Sequence, residues 1–231
     1  MERLDKVIAE FTEFSRKDVR KLIRENRVTI DGMEAIKFDQ KVDEDSEILV
    51  DGEIIVRKRR IVAVLNKPKG FVTSTDDPRD RTVMEIVPKE WRLLSVYPVG
   101  RLDKDTEGLL VFTNDGALAH SLISPKSGIE KEYIAIHDGK AGKDDVEAFA
   151  KGMVLDGEVL RPAVLIPVRE GESRVIVTEG KFHQVRRMMS SRGLSVKELK
   201  RIREGRLSLG DLKKGEWREL EEAEEKLILG N

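Results

Sequence analysis

Apolar positions in the first 56 residues fall into short groups of changing period. Leu4, Val7, Ile8 and Phe11 recur at helical spacing. Ser15 is a natural N-cap for a second helix over 16–26, whose apolar face is Val19, Leu22 and Ile23. Short strands follow at 28–30, 48–50 and 54–56, with Asp31-Gly32 and Asp51-Gly52 as hairpin-type turns. Arg57-Lys58-Arg59-Arg60 reads as a linker able to touch phosphate. Beyond it the pattern predicts strands at 61–65, 71–75, 108–112, 133–136, 164–168, 174–177 and 196–199. Helices are predicted from the cap Asn114-Asp115-Gly116 through Ile123, and over 144–153 and 182–191. Strands outnumber helices and the connections are irregular. The expected class is therefore α+β, a small N-terminal module over 1–58 and a larger domain over 59–231 on a mostly antiparallel or mixed sheet.

Charge changes this picture. The net charge is −1, yet 38% of the residues are charged and the signs are segregated. From Arg16 to Arg27 six basic residues face two acidic ones, and from Asp31 to Glu53 nine acidic residues face two lysines. The basic excess lies on the second helix (Arg16, Lys17, Arg20, Lys21, Arg24), so a phosphate backbone is the expected partner of that face. With no cysteine and three scattered histidines, the chain offers no thiol nucleophile, no disulfide framework and no zinc cluster. No run is long and apolar enough to span a bilayer, and the first residues lack a secretory apolar stretch, so a cytoplasmic protein without a membrane partner is expected.

Four segments can carry chemistry. Gly100-Arg101-Leu102-Asp103 puts a carboxylate in a loop that feeds an apolar strand. Asn66-Lys67-Pro68-Lys69-Gly70 sets two lysines around a proline after a strand. This is either a phosphate contact or an ordinary basic turn. Lys131-Glu132-Tyr133 opens a strand with an aromatic hydroxyl that can stack on a base and exchange protons. Glu179-Gly180-Lys181-Phe182-His183-Gln184-Val185-Arg186-Arg187-Met188 turns into a helix with a dense set of donors.

Together these segments resemble bacterial ribosomal RNA pseudouridine synthases of the RsuA type. The resemblance also runs through Ser74-Thr75-Asp76-Asp77-Pro78, Thr106, Gly108-Leu109-Leu110 and Thr113-Asn114-Asp115-Gly116, behind an S4-like RNA-binding module marked by Ser15-Arg16, Ile23-Arg24 and Gly32. It implies Asp103 as the catalytic aspartate, Tyr133 as the base-stacking tyrosine, and Arg186 as the cation that pairs with the aspartate. It further implies RNA contacts at Lys67, Lys69, Arg101, Lys181, His183 and Gln184, besides the helix. The implied reaction breaks the N1–C1′ bond of a uridine, turns the uracil and closes a C5–C1′ bond. No cofactor or metal is needed. Asp103 either attacks C1′ or removes the 2′ proton. Motif details favour the small-subunit (16S) RNA over the large-subunit (23S) one, and the resemblance implies a monomer.

Glu132, Glu204 and Trp217 depart from the pattern, which has threonine, isoleucine and often tyrosine there. Two other readings stay open. One is a non-catalytic S4-type RNA-binding or assembly factor, in which Asp103, Tyr133 and Arg186 do not converge. The other is a glycosidase-like pair of Asp103 with Asp105 or Glu107.

Overall fold

The computed structural model describes residues 1–43, 45–55, 59–124 and 126–230. Their contacts divide the chain into two compact units, Met1–Arg59 and Arg60–Asn231.

In the first unit, β1 (Glu2–Arg3) leads into α1 (Leu4–Phe11) and α2 (Arg16–Arg24). The Ser15 hydroxyl accepts the Asp18 amide at 3.3 Å, and the Asp18 carboxylate accepts the Ser15 amide at 3.0 Å. This capping box starts α2 where the sequence places it. The helix stops at Arg24, short of the predicted 26, because Asn26 takes the left-handed φ of 56°. Strands β2 (Val28–Ile30), β3 (Met33–Glu34), β4 (Lys41–Val42), β5 (Ile48–Val50) and β6 (Glu53–Ile54) follow. Four of them form a sheet in the order β3-β2-β5-β6, while β4 pairs with β1. Both Asp-Gly turns place two successive residues at positive φ, as tight hairpins require. Leu4, Val7, Ile8, Val19, Leu22, Ile23, Val28, Ile48 and Val50 close the core, so the helices bury the faces their spacing marks. Val56, Arg57 and Lys58, parts of the predicted third strand and linker, lie outside the described residues.

The second unit is built on a nine-stranded mixed sheet. Its elements are β7 (Val62–Lys67), α3 (Glu90–Leu93), β8 (Tyr97–Val99), β9 (Thr106–Thr113), α4 (Gly116–Ile123), β10 (Lys131–His137), α5 (Lys143–Lys151), and the hairpin β11 (Met153–Leu155) and β12 (Glu158–Leu160). They continue with β13 (Val164–Arg169), β14 (Glu172–Val177), α6 (Gln184–Ser191), β15 (Val196–Glu204), β16 (Leu207–Ser208), β17 (Trp217–Glu219) and α7 (Glu222–Ile228). The sheet runs β13-β14-β10-β15-β9-β7-β17, with β8 on β9 and β16 on β15. Only β9 and β15 run parallel among these pairs.

Alternation along β7 and β9 sends Ala63, Leu65, Leu110 and Phe112 to one core, and Val62, Val64, Leu109 and Val111 to the other. The sheet is thus buried on both faces at its centre, which is why its central strands read as unbroken apolar runs.

Several expectations are corrected. Residues 71–75 are not a strand: Val72 makes a lone bridge to Thr82, and the Thr73 hydroxyl exchanges hydrogen bonds with the backbone of Leu102 in place of a ladder. Asn66 and Lys67 belong to β7 rather than to the turn. The strand predicted over 196–199 runs to Glu204, five residues beyond the predicted end, and α6 begins at Gln184, after Phe182 and His183. Arg60, expected in a phosphate-touching linker, is bonded to Asp115 at 2.8 Å and Glu225 at 2.7 Å.

Candidate active site

The site begins under the loop between β8 and β9. Lys67, the last residue of β7, is fully buried, and its Nζ donates to the carbonyls of Asp103 (3.0 Å), Thr106 (2.9 Å) and Pro68 (3.2 Å). The Thr106 amide donates to Asp103 O at 3.0 Å, and the Gly70 amide to Lys104 O at 2.8 Å. Held from below by its own backbone, the loop presents the Asp103 carboxylate, 30% exposed, upward. Lys67 is therefore no phosphate contact, contrary to the expectation; it is a strut that fixes Asp103 in place.

Burial lowers the Lys67 pKa to about 8, against partial compensation from Asp103, Asp105 and Glu107. Between about pH 8 and the ordinary lysine value of 10.5, the folded chain has shed this proton and the unfolded chain has not. Stability must then rise with pH across that window. In urea unfolding, wild type is expected to gain about 2 kcal/mol over Lys67→Met between pH 7 and 10. A gap that stays flat with pH would refute the buried, depressed ammonium.

Tyr133 on β10 walls the same pocket, with Leu102, Val177, Val185 and Leu199 completing its apolar side. Burial pushes the Tyr133 phenol up, only partly offset by the Arg201 guanidinium against it. A phenol held neutral suits a ring that stacks on a base. The pocket, about 60 Å³ around Asp103, adjoins a cleft of about 900 Å³ that shares Arg101, Tyr133, Glu179, Gly180 and Lys181.

A β-bulge shifts the β10–β15 register between Glu132 and Tyr133, pairing Tyr133 with Arg201 but Glu132 with Arg203. The inserted residue lets Arg201 and Glu204, three apart, both line the cleft. Arg201 is 1% exposed, donates its Nε to Leu109 O at 2.7 Å, and lies 3.2 Å from the Glu204 carboxylate without hydrogen-bond alignment. Lys131 stands 3.9 Å from the other Glu204 oxygen.

Sequence reasoning missed this buried set as part of the site. The departure at Glu204 from an apolar residue, beside two basic positions, was the available signal. The departure at Glu132 has a separate cause. Burial would raise its carboxyl, but Arg203, at 2.7 Å, and Arg174 hold it below the usual range within an ion network.

The 179–187 segment forms the far wall. Gln184 is buried; its Nε2 donates to Glu179 at 2.8 Å and its Oε1 accepts the Lys181 amide at 3.0 Å. Glu179 in turn accepts the Arg161 amide at 2.9 Å. Gln184 is thus the lock of the loop rather than the expected RNA donor. His183, at a left-handed φ of 47°, brings its Nε2 to 3.4 Å from Asp103. Arg186 does not pair with Asp103 as expected. Its Nη2 meets the Asp105 carboxylate at 2.9 Å and its Nη1 donates to Val196 O at 3.2 Å, tying α6 to the loop that carries Asp103 and to β15. Asp105, 64% exposed, is thus Arg186's partner.

Arg101 is exposed at the mouth of the pocket and makes no hydrogen bond or ion pair among the described residues. Lys181 and Lys69 are half-exposed and reach Glu158 (3.0 Å) and Glu198 (3.4 Å). In the first unit all five basic residues of α2 are exposed. Arg16 is anchored to buried Asp5 at 2.8 Å, and Arg20 lies 4.4 Å over the Phe38 ring.

Glu107, like Asp105, is salt-bridged: Lys214 holds it at 2.8 Å, and neither carboxylate lines the Asp103 pocket. A glycosidase-like pair would need a second carboxylic acid across the cleft, in an apolar setting. Asp105 and Glu107, the two partners that reading names for Asp103, are therefore not placed to act as the acid.

Comparison with known proteins gives a consistent picture. A family model described as RNA pseudouridylate synthase matches residues 61–191. The chain is 37% identical over 233 residues to an uncharacterized RNA pseudouridine synthase of Bacillus subtilis, covering 98% of each chain. It is 39% identical over 228 residues to the ribosomal small subunit pseudouridine synthase A of Escherichia coli, covering 96% of this chain and 97% of that one. A crystal structure of a pseudouridylate synthase superposes with a TM-score of 0.69 at 32% identity, over 99% of this chain and all of the other.

Proposed function

The chain belongs to the RNA pseudouridylate synthase family, and on that premise we propose that it isomerises one uridine of small-subunit ribosomal RNA, with Asp103 as the catalytic carboxylate. One observation carries the assignment of the residue. Asp103 is the carboxylate held on a fixed loop in a pocket with the Tyr133 ring, at a mouth lined by Arg101, Lys181 and His183. The small-subunit choice is supported by the printed name of the Escherichia coli relative.

The reaction is an internal exchange. The N1–C1′ bond breaks, the freed uracil turns, C5 bonds to C1′, the C5 hydrogen leaves as a proton, and N1 gains one. Nothing is oxidised or reduced, so no cofactor enters the balance. Asp103 acts on the ribose, at C1′ as nucleophile or at C2′ as base. Tyr133 packs on the uracil, which must leave its stack to reach the pocket. Arg186 is assigned a positioning role: through Asp105 and Val196 O it holds the loop that carries Asp103. Arg101 and Lys181 take flanking phosphates. The first unit is read as an S4-like RNA-binding domain whose α2 face docks on the backbone. The protein is taken to act in the cytoplasm as a monomer.

Pseudouridine mapping of ribosomal RNA from a strain lacking the gene tests the proposal. One small-subunit site is expected to vanish and to return on complementation. Loss of a large-subunit site alone would move the substrate to the other RNA, and an unchanged map would remove the proposal.

A further inference from the structure

Phe182 is a large apolar side chain 76% exposed, between Lys181 and His183, which both line the Asp103 pocket. Its ring is stacked on His183, centroids 3.9 Å apart and planes 16° from parallel, and His183 Nε2 lies 3.4 Å from Asp103. One face of the phenyl ring is therefore covered by imidazole, and its high exposure leaves the other open to solvent. The segment that carries the pair is rigid. Gln184 and Glu179 lock it from inside, and Arg187 holds it from the other side through Phe182 O (3.3 Å), Glu158 (3.0 Å) and Leu155 O (3.1 Å). His183 stays at its left-handed φ because its carbonyl accepts the Arg187 amide of the first turn of α6 at 2.9 Å.

An exposed phenyl ring gains little from water, and this one adds no packing to the core. Its position does have a use. It is joined through the His183 ring to the carboxylate that meets the target ribose. Its chain neighbours Lys181 and His183 line the pocket together with Arg101, a cation with no partner among the described residues. A polyanion threaded past these cations brings its next base to the open ring face. Base–aromatic stacking is strong, tolerates any base, and needs no hydrogen-bond partner at the rim.

We infer that Phe182, backed by His183, is a stacking platform for the nucleobase adjacent to the target uridine, and that it holds the strand open while the uridine is turned. The inference rests on the reading of Asp103 as the carboxylate that acts on uridine. It adds a second subsite to the one at Tyr133.

The test uses the full chain and two readouts. The first is tritium release from RNA transcribed with 5-tritiated uridine, on small-subunit ribosomal RNA at limiting concentration. Phe182→Leu keeps apolar bulk but no ring face, and is expected to lose roughly 5- to 150-fold in kcat/KM, while Phe182→Trp restores most of it. Melting temperatures should be unchanged, since the side chain is exposed. The second readout is 2-aminopurine fluorescence in nine-nucleotide RNAs with one central uridine and the probe at one flank. Wild type and Phe182→Trp should quench one flank selectively, and Phe182→Leu should not.

Equal kcat/KM and equal quenching for wild type and Phe182→Leu would overturn the platform, as would a Phe182→Trp variant as poor as Phe182→Leu. If wild type releases no tritium from any RNA, the isomerase reading fails instead, and the quenching readout alone decides whether Phe182 stacks on bases.

Discussion

Asp103→Asn is expected to lower pseudouridine formation by at least about 10³-fold while leaving the fold and RNA affinity nearly intact. An amide of the same shape can neither attack C1′ nor accept the 2′ proton. The structure allows this change to be made cleanly, because the loop is fixed by main-chain atoms that the substitution keeps. The Asp103 carbonyl still accepts Lys67 Nζ at 3.0 Å and the Thr106 amide at 3.0 Å. The carboxylate itself makes the 3.4 Å contact to His183, between side chains 30% and 42% exposed, and supplies part of the negative charge that offsets the burial of Lys67. Such partly solvated ion contacts are worth about 1 kcal/mol or less. Removing a negative charge from a pocket that receives a polyanion should, if anything, tighten binding slightly. Filter binding and tritium release on the same RNA separate the two effects. Turnover within tenfold of wild type would exclude Asp103 as the reacting group. Parallel loss of binding and turnover would instead make it a docking residue.

How much of this site could be read in advance depended on whether a residue's role lies in its type or in its partners. Asp103 and Tyr133 were singled out through the family resemblance, and the fold brings both to one pocket. The α1 and α2 helices were legible because their buried faces, Val7 and Ile8, Val19 and Leu22, follow the helical period. Lys67 was not, since a lysine after an apolar run reads as a charge in water. Only the fold shows three carbonyls converging on its ammonium.

Gln184 and Arg186 failed for the same reason. Both carry donors in a donor-rich motif, but Gln184 is satisfied inside its own loop by Glu179 and the Lys181 amide, and Arg186 by Asp105 and Val196. The strand ends were misjudged where side-chain bonds or a bulge replaced regular pairing. Thr73 substitutes its hydroxyl for a ladder bond, and the bulge between residues 201 and 203 carries β15 through a charged stretch that lacks strand periodicity. The C-terminal α7 is a short helix with three glutamates in seven residues, held by Ile228 in the core and by the Glu224–Arg218 and Glu225–Arg60 pairs. Its apolar content is too low to announce it.

Gly108→Ala is expected to be the most damaging substitution to the fold near the site, although it adds a single methyl group. Gly108 pairs with Lys67 on β7 and with Arg201 on β15, so it lies between the two buried cations that organise the pocket. Its φ is +106°, a region that L side chains rarely adopt, and a Cβ there would stand 2.0 Å from Arg201 O and 2.8 Å from Arg201 N. Backbone cannot swing away as a flexible side chain can. The sole parallel pairing among the named strand pairs of this sheet, Thr106 to Gly108 against Leu199 to Arg201, would have to open.

Opening it moves Arg201, whose Nε bonds Leu109 O, and with it the wall on which Tyr133 rests. Strain and clash together are expected to cost at least about 3 kcal/mol, or roughly 10 °C in Tm for a chain of this size. Gly193→Ala supplies the control: its φ is +75° but a Cβ there meets nothing within 4 Å, so it carries backbone strain alone. Thermal melts of the two variants then measure the close approach by difference. If Gly108→Ala melts no lower than Gly193→Ala, β9 and β15 are not as tightly apposed as the register requires. If it melts lower but keeps full turnover, the position of Arg201 matters to the fold and not to the uridine pocket.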